Sequence, residues 1–428
     1  IPKEDIKSVN LIEELRNKTG LLDNIFVHGP EGFLNILSLT SKKLKSSTEY
    51  VHIAKNYITL KEFYDYESEF NVNHKELYLT VKGSTVKLPV IFDLNTDLLR
   101  LLGYFVAEGH YDGYSLVITN SEEAIITDVQ EIINKLFDGT FITLSHDIRE
   151  SKIRNRIIQS KNKRTSIYFG GKLIKILFKE ILGIKEYAKN KRVPNLVFNL
   201  NNGLQTEFLK GLFSGDGEAR GRSLGYSSRS LILREQVSLL LTSFGIEHSL
   251  VDEWDKEYEC NQYRLKINSF DDKLKFSELI GFVSQKRKEK LQLQIQKIPI
   301  RVQLMWSLNE PKTLNEISQS LGISLRHAQN ELYRRIKEGL IFRNNRGSLY
   351  LYSRNGENNL RDRVKDLYDI QKIEKIPSST EFLYDLETED NYFVANGIQV
   401  HNCSWPQMLY NNTVRFRSVK NTVDEMEL

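Results

Sequence analysis

The sequence predicts an α+β protein built on an internally duplicated unit, and three observations predict it. Gly109, Gly113, Ser115 and Leu116 recur as Gly217, Gly221, Ser223 and Leu224, each displaced by 108 residues. Each copy follows an apolar helical stretch, Leu98–Gly109 in the first and Phe208–Gly217 in the second. Each then leads through an extended segment (Ser115–Thr119, Ser223–Ser227), a helical one (Glu122–Phe137, Leu231–Phe244) and further strand-like runs such as Thr140–Leu144 and Gln262–Ile267. Two copies of one α/β unit, burying their apolar faces against each other, account for all three.

The other elements follow in chain order. Residues 1–90 mix short helical turns, at Asn10–Asn17 and Thr59–Tyr66, with extended pieces and carry no motif with assignable chemistry. After the duplicated region, Val302–Leu308, Leu314–Leu321 and Leu325–Gly339 read as helices, with a turn at Gly322–Ser324. Two extended runs, Leu340–Phe342 and Ser348–Tyr352, follow and are bridged by Arg343–Gly347. That order is a helix–turn–helix with a β-wing. Arg326 and Arg334 on its second helix are placed to read a major groove, and Arg343 and Arg346 in the wing to touch phosphate. Farther on, Tyr392–Ala395 and Ile398–Val400 flank Asn396-Gly397, a strong hairpin signal.

At 40% hydrophobic and 27% charged residues, the composition is that of an ordinary globular protein. No apolar run approaches the roughly 20 residues needed to span a bilayer, so no membrane partner is expected. Ile1 opens no signal-peptide pattern, and two cysteines build no disulfide framework, which fits a reducing cytoplasm. The net charge of +4 is mild, and its local distribution is more telling. Lys152, Arg154, Arg156, Lys161, Lys163 and Arg164, with Arg149 just ahead of them, form a basic stretch among strand-like segments. Lys185–Arg192 and Lys286–Lys290 hold two more groups, and together they suggest a phosphate-facing surface.

The sharpest chemistry lies at the ends of the two apolar helices. Gly103 and Ala107 are four residues apart, as are Gly211 and Gly215, so each pair shares one helix face and lets two backbones approach. Each helix ends in an acid, Glu108 or Asp216, followed by a glycine expected to act as a C-terminal stop. Side by side, the two helices bring both carboxylates together where helix dipoles and mutual repulsion oppose them. Divalent cations relieve both penalties, and hard oxygen ligands suit Mg²⁺ (or Mn²⁺).

These motifs resemble the LAGLIDADG family of homing endonucleases, in its single-chain, two-motif, intein-associated branch, over roughly residues 91–292. The resemblance implies pseudo-twofold αββαββα halves with saddle-shaped antiparallel sheets laid on double-stranded DNA at a long asymmetric target site. Glu108 and Asp216 are implied as metal ligands and catalytic residues. One lysine per half is implied near them, and Lys191, just before Val193-Pro194, takes that place in the first half. In the second half the spacing points to Arg287, flanked by Lys286 and Lys288, and Lys288 is the candidate lysine.

The end of the sequence resembles the C-terminal splicing block of inteins. The resemblance implies that Asn402 cyclises onto its own carbonyl, that His401 donates a proton to that step, and that Cys403 is the nucleophile of the downstream extein. Asp385 matches the family's acidic position, and Asn391 stands where the family often has histidine. An upstream Cys or Ser start and a Thr-x-x-His block are not found before residue 90, so a truncated intein is expected. The resulting organisation is residues 1–90 (rest of a splicing domain, a DNA-recognition region or a linker), 91–200 and 201–298 (the two halves), 299–368 (winged helix–turn–helix), 369–402 (C-terminal β hairpin of a Hint-type splicing domain) and 403–428 (start of the host extein). A chain holding both halves is expected to act as a monomer. The alternative is a catalytically inactive LAGLIDADG/helix–turn–helix DNA-binding regulator, against which the two acids and the splicing block argue.

Overall fold

The computed structural model describes residues 6–31, 33, 56–69, 72–140, 142–147, 150–153, 156–159, 164–221, 223–256, 259–296, 298–346, 349–354, 392–395 and 398–401. The chain divides into two compact units, Ile1–Pro299 and Ile300–Leu428. No helix among the described residues is long and apolar enough to cross a membrane.

The first unit opens on short elements that local sequence only partly foretold. Asn10 caps the helix Leu11–Leu15, its Oδ1 accepting from the Ile12 amide at 3.1 Å. Thr59 and Glu62 form a reciprocal capping box at the start of Leu60–Asp65. The same region holds a four-stranded antiparallel sheet in the order Tyr57–Thr59, Ile25–His28, Tyr78–Val81, Leu88–Pro89. Its central pairing joins residues about 50 or more apart, such as Phe26 with Thr80, which no local pattern reveals. Leu11, Ile12, Leu15, Leu60, Phe63 and Leu79 are buried.

The duplication is plain in three dimensions. Helix Thr96–Glu108 is followed by two strands, Gly109–Asp112 and Ser115–Asn120, then helix Glu123–Leu136 and two more strands, Thr143–Asp147 and Arg164–Gly170. Helix Asn202–Asp216 is followed by Gly217–Arg220, Ser223–Ser228, helix Leu231–Ser243, Ser249–Asp255 and Cys260–Ile267. Both sheets are antiparallel, and in both the fourth strand in sequence lies between the second and the third. One connection differs: the first half carries an extra hairpin, Glu150–Ile153 with Arg156–Gln159, between its last two strands. Helices Lys172–Ile176 and Phe270–Leu279 follow the two sheets.

Two details depart from expectation. The glycine after each acid is not a left-handed cap: Gly109 has φ −82° and Gly217 φ −76°, and the chain passes straight into a strand. Glycine is needed there because a Cβ would lie 2.4 Å from the Phe105 carbonyl oxygen at Gly109 and 2.3 Å from that of Phe213 at Gly217. The left-handed glycines are the next ones, Gly113 (φ +56°) and Gly221 (φ +58°), which turn the first hairpin of each half.

The halves meet along the helices Thr96–Glu108 and Asn202–Asp216, and both ends of this seam are polar. At the N-terminal end, Arg100 bonds Asp128 at 2.9 Å, Glu207 of the other half at 2.8 Å and Asp97 at 3.2 Å. Tyr104 donates to the same Asp128 oxygen at 2.8 Å. Removing one partner of such a shielded network leaves charges unpaired. Arg100→Leu is therefore expected to cost about 2–4 kcal/mol in urea unfolding, more than exposed ion pairs such as Lys61–Asp23 contribute.

The second unit contains helices Ile300–Ser307, Leu314–Leu321 and Leu325–Lys337 and a sheet in the order Lys312–Thr313, Leu349–Arg354, Ile341–Arg346. Leu304, Leu308, Ile317, Ala328, Leu332, Ile341 and Tyr352 form its core. Gly322, at φ +62°, closes one helix, and Ser324 caps the next. The strands run farther than expected, so Arg343 and Arg346 stand within a strand rather than in a loop. Arg343 lies over the Tyr350 ring at 4.6 Å. A separate hairpin pairs Tyr392–Ala395 with Ile398–His401.

Candidate acidic site at the helix seam

The seam is close because its contact residues are small. A Cβ on Gly103 would sit 2.1 Å from the Phe208 carbonyl oxygen, and one on Gly211 would sit 2.1 Å from that of Arg100. A Cβ on Gly215 would lie 2.4 Å from the Ala107 Cβ and 3.2 Å from the Glu108 Cγ. The four small residues read from the sequence thus lie in the contact. With the backbones this near, the helix ends deliver Glu108 and Asp216 to one place.

Two cations attend the pair. Lys191, at 8% exposure, donates from Nζ to the Ala107 carbonyl at 2.9 Å. Arg287 donates from Nη2 to the Gly215 carbonyl at 3.2 Å and from Nη1 to the Ser214 carbonyl. Its Nη2 also pairs with Glu122 at 3.3 Å. Ala107 and Gly215 are equivalent under the 108-residue repeat, so Lys191 and Arg287 occupy equivalent positions. Lys288 does not: it lines a surface groove with Lys210, Glu289 and Gln292. The physical reason is helical phase. Ser284 caps the helix Gln285–Ile295, and the turn starting there aims Arg287 at the seam and its neighbour elsewhere.

The electrostatics follow from burial. Withdrawal from water pushes the Asp216 carboxyl up to about 7, with Glu108 adding to the shift and Lys191 and Arg287 opposing it. Burial also raises the Glu108 carboxyl, against Lys191, Arg164 and Arg287. Burial lowers the Lys191 ammonium, with Asp216 and then Glu108 pulling it back up. Carboxylates held so reluctantly in their charged form bind any added cation with a gain that solvated acids lack.

The remaining expected residues are dispersed. Arg164 is the exception: exposed at the start of its strand, it still acts on Glu108 through its charge. Arg149, Arg154, Lys161 and Lys163 lie outside the described residues, and Lys152 and Arg156 stand on the extra hairpin of the first half. Arg326 and Arg334 are exposed on Leu325–Lys337, with Arg334 paired to Glu331 at 2.9 Å. Asp385, Asn391, Asn402 and Cys403 lie outside the described residues, and His401 ends the last strand. Arg264 and Lys266 were missed in the sequence. They alternate with the buried Leu265 and Ile267 and share Glu253 at 3.2 and 3.6 Å, so period-two patterning marks them as the outer face of the second sheet.

The chain matches known proteins over parts of its length. Residues 203–281 match the LAGLIDADG-like domain family. The chain is 26% identical over 322 residues to a glutamine–fructose-6-phosphate aminotransferase (isomerizing) of Methanocaldococcus jannaschii, covering 72% of this chain and 27% of that protein. It is 26% identical over 258 residues to a DNA polymerase II large subunit of Thermococcus kodakarensis, covering 58% of this chain and 13% of that protein. The chain therefore spans less than a third of the length of either relative. Among solved structures it is similar to I-DmoI in complex with DNA and Mn, at 20% identity and a TM-score of 0.32, covering 44% of this chain and 98% of that one. It is also similar to the N-terminal LAGLIDADG domain of DUF199/WhiA, at 17% identity and a TM-score of 0.31, covering 44% of this chain and 82% of that one. The family match covers helix Asn202–Asp216 from its second residue and the strands after it, and the helix, strands and acid of residues 96–170 repeat the plan of that matched segment.

Proposed function

We propose that the seam is the active centre of a site-specific double-strand DNA endonuclease carried within an intein. The observation that carries this reading is the convergence of Glu108 and Asp216 at the ends of two helices packed on glycine. Among the described residues no three His, Cys, Asp or Glu side chains gather into a protein-only metal cage. Two hard carboxylates suit Mg²⁺ or Mn²⁺, which bind one or two acids and complete their shells with water and phosphate oxygens. When bound, such an ion supplies positive charge to the phosphate and makes water a better nucleophile. The side chains do the rest. Glu108 and Asp216 fix where cations sit, and Lys191 faces the developing phosphate charge. A water oxygen bonds to phosphorus as the bond to the leaving oxygen breaks. One water proton ends on that oxygen by way of solvent, giving an alcohol and a phosphate monoester.

The intein part has separate support. The relatives bear the names of enzymes with unrelated reactions, and each matches only over a minor part of its length. A segment shared between unlike hosts is what a mobile insert produces. In this reading Asn402 cyclises with help from His401 and Asp385, Asn391 in place of the family's histidine slows or reroutes proton transfer, and Cys403 begins the host sequence. Its test is release of the peptide 403–428: incubation of the purified chain is expected to liberate it, and Asn402→Ala to block release, by mass spectrometry. Persistent linkage of residues 402 and 403 in every condition, including after addition of an N-terminal splicing fragment, sinks the splicing half of the proposal. In this reading the winged helix–turn–helix of residues 299–368 lengthens the recognised DNA site through Arg326, Arg334, Arg343 and Arg346, in addition to the contacts made by the basic hairpin residues of the first half.

The test of the nuclease is a cleavage selection. The chain is incubated with a library of randomised duplexes and Mg²⁺ or Mn²⁺, and cut molecules are ligated to adaptors and sequenced. Recovery of one long, asymmetric site supports the proposal. Duplex binding without cuts, in either metal, favours the inactive DNA-binding regulator instead.

A further inference from the structure

We infer that the two halves of the seam are unequal toward a DNA backbone: Lys191 offers unspent N–H donors to the phosphate on its side, whereas Arg287 is consumed as an internal clamp, so the two strands are cut in sequence rather than together. This inference rests on the nuclease reading.

The two cations hold equivalent positions, one on the Ala107 carbonyl and the other on the Gly215 carbonyl. What they have left differs. An ammonium carries three donors, and among the described residues Lys191 Nζ gives one hydrogen bond, to Ala107. A guanidinium carries five. Arg287 Nη1 is taken by the Ser214 and Phe213 carbonyls, and Nη2 by the Gly215 carbonyl and the Glu122 carboxylate. Three N–H bonds to carbonyls and one ion pair to Glu122 thus occupy both terminal nitrogens, and only Nε remains.

The clamp has a visible cause. Glu122 lies in the first half, just before helix Glu123–Leu136, and reaches across to Arg287 and to the Ser284 hydroxyl, which donates to it. The repeat places Ser230 at the equivalent position of the second half. Ser230 donates to the Lys191 backbone carbonyl at 2.8 Å and caps its own helix, and so brings no carboxylate to the Lys191 ammonium. One acid against one hydroxyl breaks the twofold symmetry. Charge that develops on a phosphate beside Lys191 gains a hydrogen bond at once. Beside Arg287, a bond to a carbonyl or to Glu122 must first be surrendered. Loss of one transition-state donor costs on the order of 100-fold, so a difference of about tenfold or more between strands is expected.

The experiment uses the full chain, Mg²⁺ and a supercoiled plasmid carrying the selected site, with each strand followed by its own label in single turnover. Nicked circles are expected to accumulate, always cut in the same strand, before linear product forms. Arg287→Lys is expected to speed the slower strand by about fivefold and leave the faster within about twofold, whereas Lys191→Met slows the faster strand most. In EDTA without DNA, Arg287→Lys and Glu122→Gln are expected to lower Tm by about 3 °C or more, through loss of the clamp. Linear product without a nicked intermediate overturns the inference, as does an Arg287→Lys protein whose ratio of strand rates is unchanged. Absence of every nick and cut overturns the nuclease reading and this inference with it, and is told apart from the other failures by intact supercoiled plasmid.

Discussion

Asp216→Asn is expected to lower cleavage by about 10³-fold or more while leaving duplex affinity within about threefold, because the change removes a metal-binding charge and none of the phosphate-facing cations. The same variant carries a second signature that needs no DNA. Folding raises the Asp216 carboxyl from its ordinary 3.8 to about 7. Between those values the folded protein keeps a proton that the unfolded chain has lost. Stability from this group is therefore greatest at low pH and declines as pH rises through that window. Asparagine does not titrate, so in EDTA the variant is expected to gain on the parent from pH 4 to pH 7 and to exceed it by about 1–2 kcal/mol at pH 8. Each pKa unit is worth about 1.4 kcal/mol, and part of it is lost to solvent at a half-buried group. Urea unfolding at several pH values measures this. Saturating Mg²⁺ is expected to reverse the order, since only the parent gains from binding. A parent stability that rises across the same window in EDTA contradicts the burial argument, and full cleavage by Asp216→Asn contradicts the catalytic one.

Much of the seam was legible because its determinants are local. Small residues spaced by four, an acid and then a glycine describe one helix face and its end, and a second copy describes the partner. The spacing also pointed to Arg287. Lys288 is turned away by helical phase: adjacent residues on a helix point about 100° apart, and the cap at Ser284 decides which of three basic neighbours meets the seam. The short strands Gly109–Asp112 and Gly217–Arg220 were hidden for a different reason. Each is four residues long and begins where the preceding helix stops, so no interval of turn residues separates the two patterns. The sheet of residues 25–89 was hidden because its pairings are non-local. Glu122 was unreadable as a functional residue, since its partners Ser284 and Arg287 lie more than 160 residues away.

Gly103→Ala is the substitution expected to damage the fold most for the fewest atoms added. The new methyl would stand 2.1 Å from the Phe208 carbonyl oxygen and 2.7 Å from the Leu212 amide nitrogen, both backbone atoms of the opposing helix. Backbone cannot rotate away as a side chain can, so the helices must separate, opening the seam along its length. The expected cost is at least about 3 kcal/mol, or a fall in Tm of roughly 6–12 °C. Gly211→Ala meets the Arg100 carbonyl at the same 2.1 Å and is expected to match it. Gly113→Ala supplies the control: at φ +56° it is strained, but nothing lies within 4 Å of its Cβ, so only about 1 kcal/mol is expected. Function adds a further discriminator. Glu108 and Asp216 sit at the far end of the same two helices, so splaying them moves the carboxylates apart. Cleavage per folded molecule is then expected to fall in Gly103→Ala and not in Gly113→Ala. Equal stability of the two variants in urea contradicts the close helix contact on which the paired acids depend.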